Sequence, residues 1–257
     1  MIASREYVKD LISKVLKGGI HKDGRYLYNG TTKIGLTTDF TLYVSSTGDD
    51  TTGDGSQAKP FRQISKAISM IPRDMCGFNV TINVSGGNYN AFTANYLKNG
   101  VLSLIFSGTP TITGATLFNH CDTVHLNGDV NFTYNTHRTS IWVAAITFSN
   151  VRDAAYWSGT MTCTGIRNTS GNTTNSRGID CRNNTKFTGN FDSSFLKVVN
   201  CEQGLCAEQN SSVYFHTITN SGCNIAICPQ GGGMIRCHTY SGTVVSGANG
   251  GQIYKSW

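Results

Sequence analysis

The 257-residue sequence has few charged residues and almost no proline. Only 14% of its residues are Asp, Glu, Lys or Arg, against roughly 25% in an average globular protein. So few charges argue against a solvent-exposed helical bundle. Four prolines together with 39% hydrophobic residues argue against a disordered chain. The composition therefore predicts a β-rich fold with many polar turns.

Long apolar runs are also missing. No stretch approaches the roughly 20 residues that a membrane span requires, so we expect no membrane insertion. Residues 1–19 mix charges into their apolar positions, and no signal-peptide core is present. We therefore expect a protein that is made in a cytoplasm.

Metal-binding cysteine pairs and basic clusters are absent as well. The nine cysteines are odd in number and include no Cys-x-x-Cys pair, which favours reduced, buried thiols over a disulfide scaffold or a zinc ribbon. We predict no metal and no cofactor. The net charge of +6 is spread along the chain. Because no cluster resembles a basic nucleic-acid patch, we expect no nucleic acid partner.

The N-terminal segment is typical of a short amphipathic helix over residues 4–17. Ser4 can cap it, and Val8, Leu11 and Val15 recur at helical spacing. A helix this short is marginal alone in water. It must therefore dock on this chain or on another one.

The most informative feature is internal repetition. Four short strands with alternating apolar residues are centred 22 residues apart on Val80, Leu102, Val124 and Ile146. A later repeat begins at Ile179, Leu205, Ala226 and Val245. In that repeat we predict an inward ladder of small side chains at Cys181, Ala207, Cys228 and Gly247. We predict left-handed backbone corners at Asn184 and Asn210.

Coils of this length bury their inward face only by stacking on one another, about 4.8 Å apart. The repeats therefore predict an all-β fold, a single-stranded right-handed parallel β-helix. A second helix near residues 60–71 would cap its open N-terminal end.

Three segments resemble known proteins. Residues 42–50 (LYVSSTGDD), 53–56 (GDGS) and 59–68 (KPFRQISKAI) resemble the entry segment of pectate-lyase-like β-helix proteins, which include many bacteriophage tail spikes and tail fibres. Residues 204–213 (GLCAEQNSSV) resemble the coil repeat of phage tail-fibre β-helices. Residues 3–10 (ASREYVKD) are similar to a helix that recurs in trimeric tail fibres.

This resemblance implies a homotrimeric phage or prophage tail protein. Residues 1–39 would be an attachment and oligomerisation segment that binds other tail proteins, and residues 40–257 would form the β-helix domain. The protein would be made in the bacterial host cytoplasm, become part of the virion tail, and contact host surface polysaccharide or serve as a structural tail component. An enzyme on the same scaffold, a glycoside hydrolase or polysaccharide lyase acting as a depolymerase, is the alternative.

Catalysis on a polysaccharide would need paired carboxylates about 5–9.5 Å apart, which neighbouring coils could supply. The candidate acids on the outward face are Asp180, Asp192, Glu202 and Glu208. In the repeat alignment, Glu208 stacks on Arg182 and Asp180 stacks on Cys206. This favours a surface ion pair over catalysis.

Binding would need flat aromatic side chains beside polar ones, because sugars present apolar C–H faces ringed by hydroxyls. The best candidates are Tyr156 and Trp157, followed by a polar segment at residues 168–177 that ends at Arg177. These aromatics could instead lie in the core or at a subunit interface. Clustered outward acids in a groove would favour an enzyme, an aromatic and Asn-lined groove would favour binding, and a face with neither would favour a structural role.

Overall fold

The computed structural model describes residues 20–134, 143–151, 154–165, 176–244 and 250–255. It is all-β, with mostly parallel sheets, which confirms the fold class that the composition predicts. The helix predicted over residues 4–17 lies outside the described residues. Within the described ranges, no helix is long and apolar enough to cross a membrane.

The described part contains one short helix and 21 strands. In chain order they are β1 (Ile20–Asp23), β2 (Tyr26–Asn29), β3 (Thr32–Leu36), β4 (Phe40–Val44), α1 (Ile64–Ser69), β5 (Val80–Val84), β6 (Asn88–Asn90), β7 (Thr93–Asn95), β8 (Val101–Phe106), β9 (Thr111–Thr113), β10 (Thr116–Asn119), β11 (Thr123–Asn127), β12 (Val130–Thr133), β13 (Val143–Ser149), β14 (Ala154–Thr164), β15 (Ser176–Arg182), β16 (Lys186–Val199), β17 (Gln203–Ala207), β18 (Ser212–Ser221), β19 (Ile225–Pro229), β20 (Met234–Tyr240) and β21 (Gln252–Lys255).

Two parallel sheets share most of the chain. A six-stranded sheet has the order β7-β10-β13-β15-β17-β19, and the main path of a twelve-stranded sheet runs from β4 to β21. From β13 to β20 the chain alternates between these two sheets, and from β15 onward each strand pairs in parallel with the strand two elements earlier. We call two successive strands, one in each sheet, a pass of the chain. Equivalent positions of successive passes therefore stack on one another. A separate antiparallel sheet, β1-β2-β3, precedes them.

The twelve-stranded sheet turns a corner along its length. β11 and β12 are separate strands, yet both pair with the single strand β14. The register of β14 against β16 shifts between Trp157 and Gly159. Such irregularities bend a strand. β14 and β16 therefore continue through the corner as single strands, where β11 and β12 are separate.

A ladder of phenylalanines fills the interior between the sheets. Phe118 stacks on Phe148 at 5.1 Å between ring centroids, Phe148 contacts Phe187 at 5.0 Å, and Phe187 contacts Phe215 at 5.0 Å. All four side chains are at most 1% exposed. Phe118 and Phe148 are register partners in the six-stranded sheet, whereas Phe187 and Phe215 lie in the twelve-stranded sheet, so the ladder joins the two sheets into one core.

The first predicted repeat is correct for three of its four members. Val80 pairs with Leu102 and Leu102 pairs with Val124. The expected fourth member, Ile146, lies in the six-stranded sheet and pairs with Ile179, while Val124 pairs with Ala155. The prediction fails there because the chain makes a longer pass after Val124, and the equal spacing is coincidental.

The second repeat is shifted by one residue at its third unit. Leu205 pairs with Ile227 rather than with the predicted Ala226, and Ala207 pairs with Pro229. A one-residue shift moves a side chain to the other face of a sheet. Cys228 therefore leaves the predicted inward ladder and stacks on Cys206. Val245 and Gly247 lie outside the described residues.

The predicted backbone corners are confirmed. Asn184 and Asn210 have φ angles of 58° and 60°, in the left-handed region that asparagine tolerates. Their neighbours Asn183 and Gln209 also adopt positive φ. The corner is therefore repeated in successive passes.

The predicted capping helix is shorter than residues 60–71. α1 begins at Ile64 because Phe61 is still extended, with its N–H donating to the Tyr43 carbonyl at 3.0 Å. The buried side chains of α1, Ile64, Ala67 and Ile68, lie toward β4 and β7. The helix thus lies at the N-terminal end of the parallel sheets, where the cap is expected.

Candidate functional site

Four charged side chains converge on the outer face of the six-stranded sheet. The Arg177 Nη1 atom lies 3.3 Å from Asp180 Oδ2, and Arg182 Nη2 lies 2.5 Å from the same oxygen. The Arg177 Nη2 atom lies 2.5 Å from Glu208 Oε1. We call these four residues the Arg177 cluster. One guanidinium thus joins two carboxylates from neighbouring strands.

Local backbone direction brings Arg177 and Asp180 to the same face. Ile179 lies in the core, and a Cβ placed on Gly178 would be 3.2 Å from the Cβ of Cys163, which is also in the core. Two consecutive residues therefore face inward. The residues on either side of them, three apart in sequence, both face outward and meet.

Burial shapes the electrostatics of the cluster. Asp180 is fully buried and Arg177 is 3% exposed. Burial raises the pKa of Asp180, and the charges of Arg177 and Arg182 oppose that rise. For Glu208, burial acts to raise the pKa, but the hydrogen bond and charge of Arg177 outweigh it and the pKa is lowered. The two cations and two anions balance in number.

Neutral polar groups complete the cluster. Arg177 Nε donates to Gln203 Oε1 at 2.9 Å, and Gln230 Nε2 donates to the Glu208 carboxylate. Two buried atoms, Asp180 Oδ1 and Arg182 Nε, have no hydrogen-bond partner within the described part of the chain. Buried polar atoms are normally paired, so these two atoms are exceptions within the cluster.

A polar cleft of about 390 Å³ lies beside the cluster on the same sheet. We call it the Arg182 cleft, because the partly exposed Arg182 side chain lines it. Thr147 and Ser149 on β13 neighbour Asp180 and Arg182 in register. The lining residues are Thr93, Ala115, Thr116, Leu117, Asn119, Val143, Ala144, Thr147, Ser149, Arg182 and Asn183. Hydroxyl, amide and guanidinium groups thus share one concave surface.

An aromatic pair, Tyr96 and His120, lies next to the cleft. The Tyr96 and His120 rings stack with their centroids 4.9 Å apart, and the Arg73 guanidinium lies 5.4 Å from the centroid of Tyr96. His120 Nδ1 and Asn119 Oδ1 share a 2.8 Å hydrogen bond. Because Asn119 lines the cleft, this pair is linked directly to its wall.

The structure brings together three of the predicted site residues. Asp180, Glu208 and Arg177 form one cluster, as described above. Asp192 is exposed on β16, and the Glu202 carboxylate accepts hydrogen bonds from Asn224 at 2.9 and 3.0 Å. Neither acid belongs to the cluster or lines the cleft.

The predicted ion pair between Glu208 and Arg182 is wrong, because Glu208 pairs with Arg177. Asp180 stacks on Cys206 as the repeat alignment predicts, but it is fully buried. The reason is the inward direction of both Gly178 and Ile179, which places Arg177 on the outer face beside these acids. Simple alternation along β15 would place Arg177 on the inner face.

The predicted aromatic platform does not open to solvent at Trp157. This side chain is fully buried, and its Nε1 donates to the Gly159 carbonyl at 2.9 Å. It pairs in register with Leu126, which is a core residue. Trp157 therefore offers no face to a sugar. The side chain of Tyr156 lies outside the described residues.

Sequence reasoning missed the cleft residues Thr147, Ser149 and Asn183. Thr147 and Ser149 alternate with the core residue Phe148, and this alternation was visible in the sequence. The missing information was the register of β13 against β10 and β15. Without that register, polar residues far apart in sequence could not be assigned to one surface.

No protein-family model, curated protein or solved structure matches this chain. Among the residues that the structure describes, no group of three or more His, Cys, Asp or Glu side chains is placed to hold a metal ion. The functional argument therefore depends on the Arg177 cluster and the Arg182 cleft themselves.

Proposed function

We propose that this chain is a phage or prophage tail-fibre-like protein that binds host surface polysaccharide in the Arg182 cleft. The observation that carries the proposal is the concave convergence of Thr147, Ser149, Asn183 and Arg182. Sugar hydroxyls both donate and accept hydrogen bonds, and these side chains supply matching groups.

Binding fits the cleft better than depolymerisation does. A glycosidase needs carboxyl groups that reach the glycosidic bond. Among the described residues, the lining of the cleft contains no Asp or Glu. Asp180 is fully buried, and both acids of the cluster bind Arg177. In this proposal their role is to hold the guanidinium groups in place.

The proposed scaffold is a single-stranded right-handed parallel β-helix, assembled as a homotrimer in the virion tail. Its support is the alternation of parallel strands between two sheets, together with the three segments that resemble tail-fibre proteins. Light scattering on a size-exclusion column tests the trimer. A particle of about three chains is expected, and a monodisperse monomer would contradict this part of the proposal.

Binding is tested with purified surface polysaccharides from a panel of bacteria, using isothermal calorimetry. Thr147→Val removes one hydroxyl from the cleft, and Thr93→Trp fills it. We expect Thr147→Val to weaken binding about two- to tenfold, the effect of one lost hydrogen bond. Thr93→Trp should abolish the binding of a neutral polysaccharide.

The matched control is Thr81→Val on the twelve-stranded sheet, which should bind like the unmodified protein. If no polysaccharide binds, or if Thr93→Trp binds as tightly as the unmodified protein, the assignment of the cleft is wrong.

A further inference from the structure

A second groove lies on the outer face of the twelve-stranded sheet. Its volume is about 470 Å³, and it crosses β16, β18 and β20. Two rows of register-paired side chains form it: Lys186, Ser212 and Met234 in one row, and Thr188, Tyr214 and Arg236 in the other. We call it the Arg236 groove. The residues between these positions on each strand, Phe187, Val213 and Ile235, are buried in the core.

The groove is positively charged. Lys186 and Arg236 are both exposed, and no Asp or Glu is among the described residues that line it. Neither cation forms an ion pair with a carboxylate in the described ranges. By contrast, the guanidinium groups of the Arg177 cluster are matched by acids. The positive charges of Lys186 and Arg236 are therefore not balanced by a carboxylate in the described ranges, and the Arg236 groove favours an anion.

Two tyrosine rings lie at the groove: Tyr254 contacts the Arg236 guanidinium, and Tyr214 lines the groove. The Arg236 guanidinium lies 5.5 Å from the ring centroid of Tyr254, its neighbour in register on β21. Such a cation–π contact restrains the guanidinium and leaves its edge open for hydrogen bonds. Tyr254 is 42% exposed, and Tyr214 lines the groove one strand away on the other side.

This combination suits an anionic sugar. A planar guanidinium binds a carboxylate through two parallel hydrogen bonds. Tyrosine rings and the Met234 side chain suit the apolar C–H face of a pyranose ring. A sugar residue that carries a carboxylate on its ring presents both features together.

We propose that the Arg236 groove binds the carboxylated sugar residues of an acidic polysaccharide, a hexuronate in chemical class. This inference rests on the proposed function, because it names the class of glycan that the protein would recognise. It uses a different sheet and different residues from the Arg182 cleft.

The experiment compares short oligogalacturonate with the same oligosaccharide after chemical reduction of its carboxyl groups. The two probes share a backbone and differ only in charge and in the carboxylate itself. We expect the acidic form to bind at least tenfold more tightly than the reduced form. Arg236→Gln should lower the affinity for oligogalacturonate by at least tenfold, and Lys186→Gln should lower it less.

The matched control is Lys197→Gln, which removes an exposed lysine of β16 outside the groove and should leave the affinity unchanged. Equal binding of the acidic and reduced probes would overturn the inference, as would unchanged binding by Arg236→Gln. A phosphorylated oligosaccharide that binds more tightly than oligogalacturonate would overturn the carboxylate assignment.

The two proposals fail in different ways. If a neutral polysaccharide binds in the Arg182 cleft while oligogalacturonate does not bind, only the hexuronate inference is wrong. If no saccharide binds, acidic or neutral, the proposed function is wrong as well.

Discussion

The guanidinium of Arg182 donates to the carboxylate of Asp180 at 2.5 Å, although the carboxylate is fully buried and the arginine side chain is 34% exposed. A buried anion thus fixes one end of a side chain whose remaining surface faces the polar cleft. Fixing a long side chain before the ligand arrives reduces the entropy that binding would otherwise cost. This relationship links the stability of the sheet to recognition at its surface.

Arg177 is predicted to be the most sensitive residue of the cluster. Arg177→Met leaves Asp180 and Glu208 without their shared partner, and breaking a buried ion pair on one side costs about 3–5 kcal/mol. We expect a loss of that size in the free energy of unfolding, measured by urea titration. Arg236→Met removes an exposed arginine and its cation–π contact with Tyr254, and should change it by at most about 1 kcal/mol. Equal losses for the two variants would contradict this account.

Glu208 predicts a specific dependence of stability on pH. Its pKa is lower in the folded protein than the ordinary value of about 4.3. The ionised group therefore stabilises the fold above about pH 4.3, and that contribution is lost as the pH falls through the folded pKa. The stability difference between the unmodified protein and Glu208→Gln should shrink over this acidic range. A difference that grows on acidification would show that the sign is wrong.

The phenylalanine ladder predicts a large contrast between two phenylalanines. Phe148→Ala opens a cavity in the ladder and should cost about 3–5 kcal/mol of unfolding free energy. Phe195 is 39% exposed and contacts the His216 ring on the surface. Phe195→Ala should cost clearly less than Phe148→Ala in the same urea titration. Similar costs would place Phe195 in a buried environment, contrary to the structure.

Two glycines in one corner should respond differently to alanine. Gly231 has a φ of +55°, and a Cβ there meets no atom closer than 3.5 Å. Gly231→Ala should therefore cost about 1–2 kcal/mol, the strain of the left-handed conformation. A Cβ on Gly233 would lie 2.0 Å from the Ala207 carbonyl oxygen, so its alanine variant must displace the neighbouring strand. We expect Gly233→Ala to lower the melting temperature more than Gly231→Ala, and the reverse order would refute this packing.

The cysteines predict a simple chemical result. Cys76 is exposed, whereas the other eight are buried, so the expectation of buried thiols is confirmed except at Cys76. Burial raises the pKa of Cys121 to about 11, so its reactive thiolate is scarce at neutral pH. A thiol reagent should label one cysteine quickly in the native protein and nine after unfolding. Fast labelling that survives Cys76→Ser would contradict the burial of the others.

The sequence predicted those parts of the fold that follow a regular period. Val80, Leu102 and Val124 were placed correctly because their passes have equal length and their strands alternate simply. Ile146 was misplaced because an intervening pass is longer, and nothing in a period of 22 reveals which sheet a strand joins. Long-range register is fixed by packing between distant segments, and local pattern does not contain it.

The candidate site was predicted less well, for the same physical reason. Asp180, Glu208 and Arg177 were recognised as candidates, but their burial and their pairing were not. Two consecutive inward residues, Gly178 and Ile179, break the alternation from which outward residues are assigned. Trp157 shows the opposite error, since its polar neighbours suggested exposure while its register partner Leu126 places it in the core.

The most direct test of the central claim is a crystal structure of the protein with a bound polysaccharide fragment from a host that it recognises. The account predicts sugar density in the Arg182 cleft, with hydroxyl groups within hydrogen-bond distance of Arg182 and Thr147. Density confined to other surfaces, with the cleft filled only by ordered water, would contradict it.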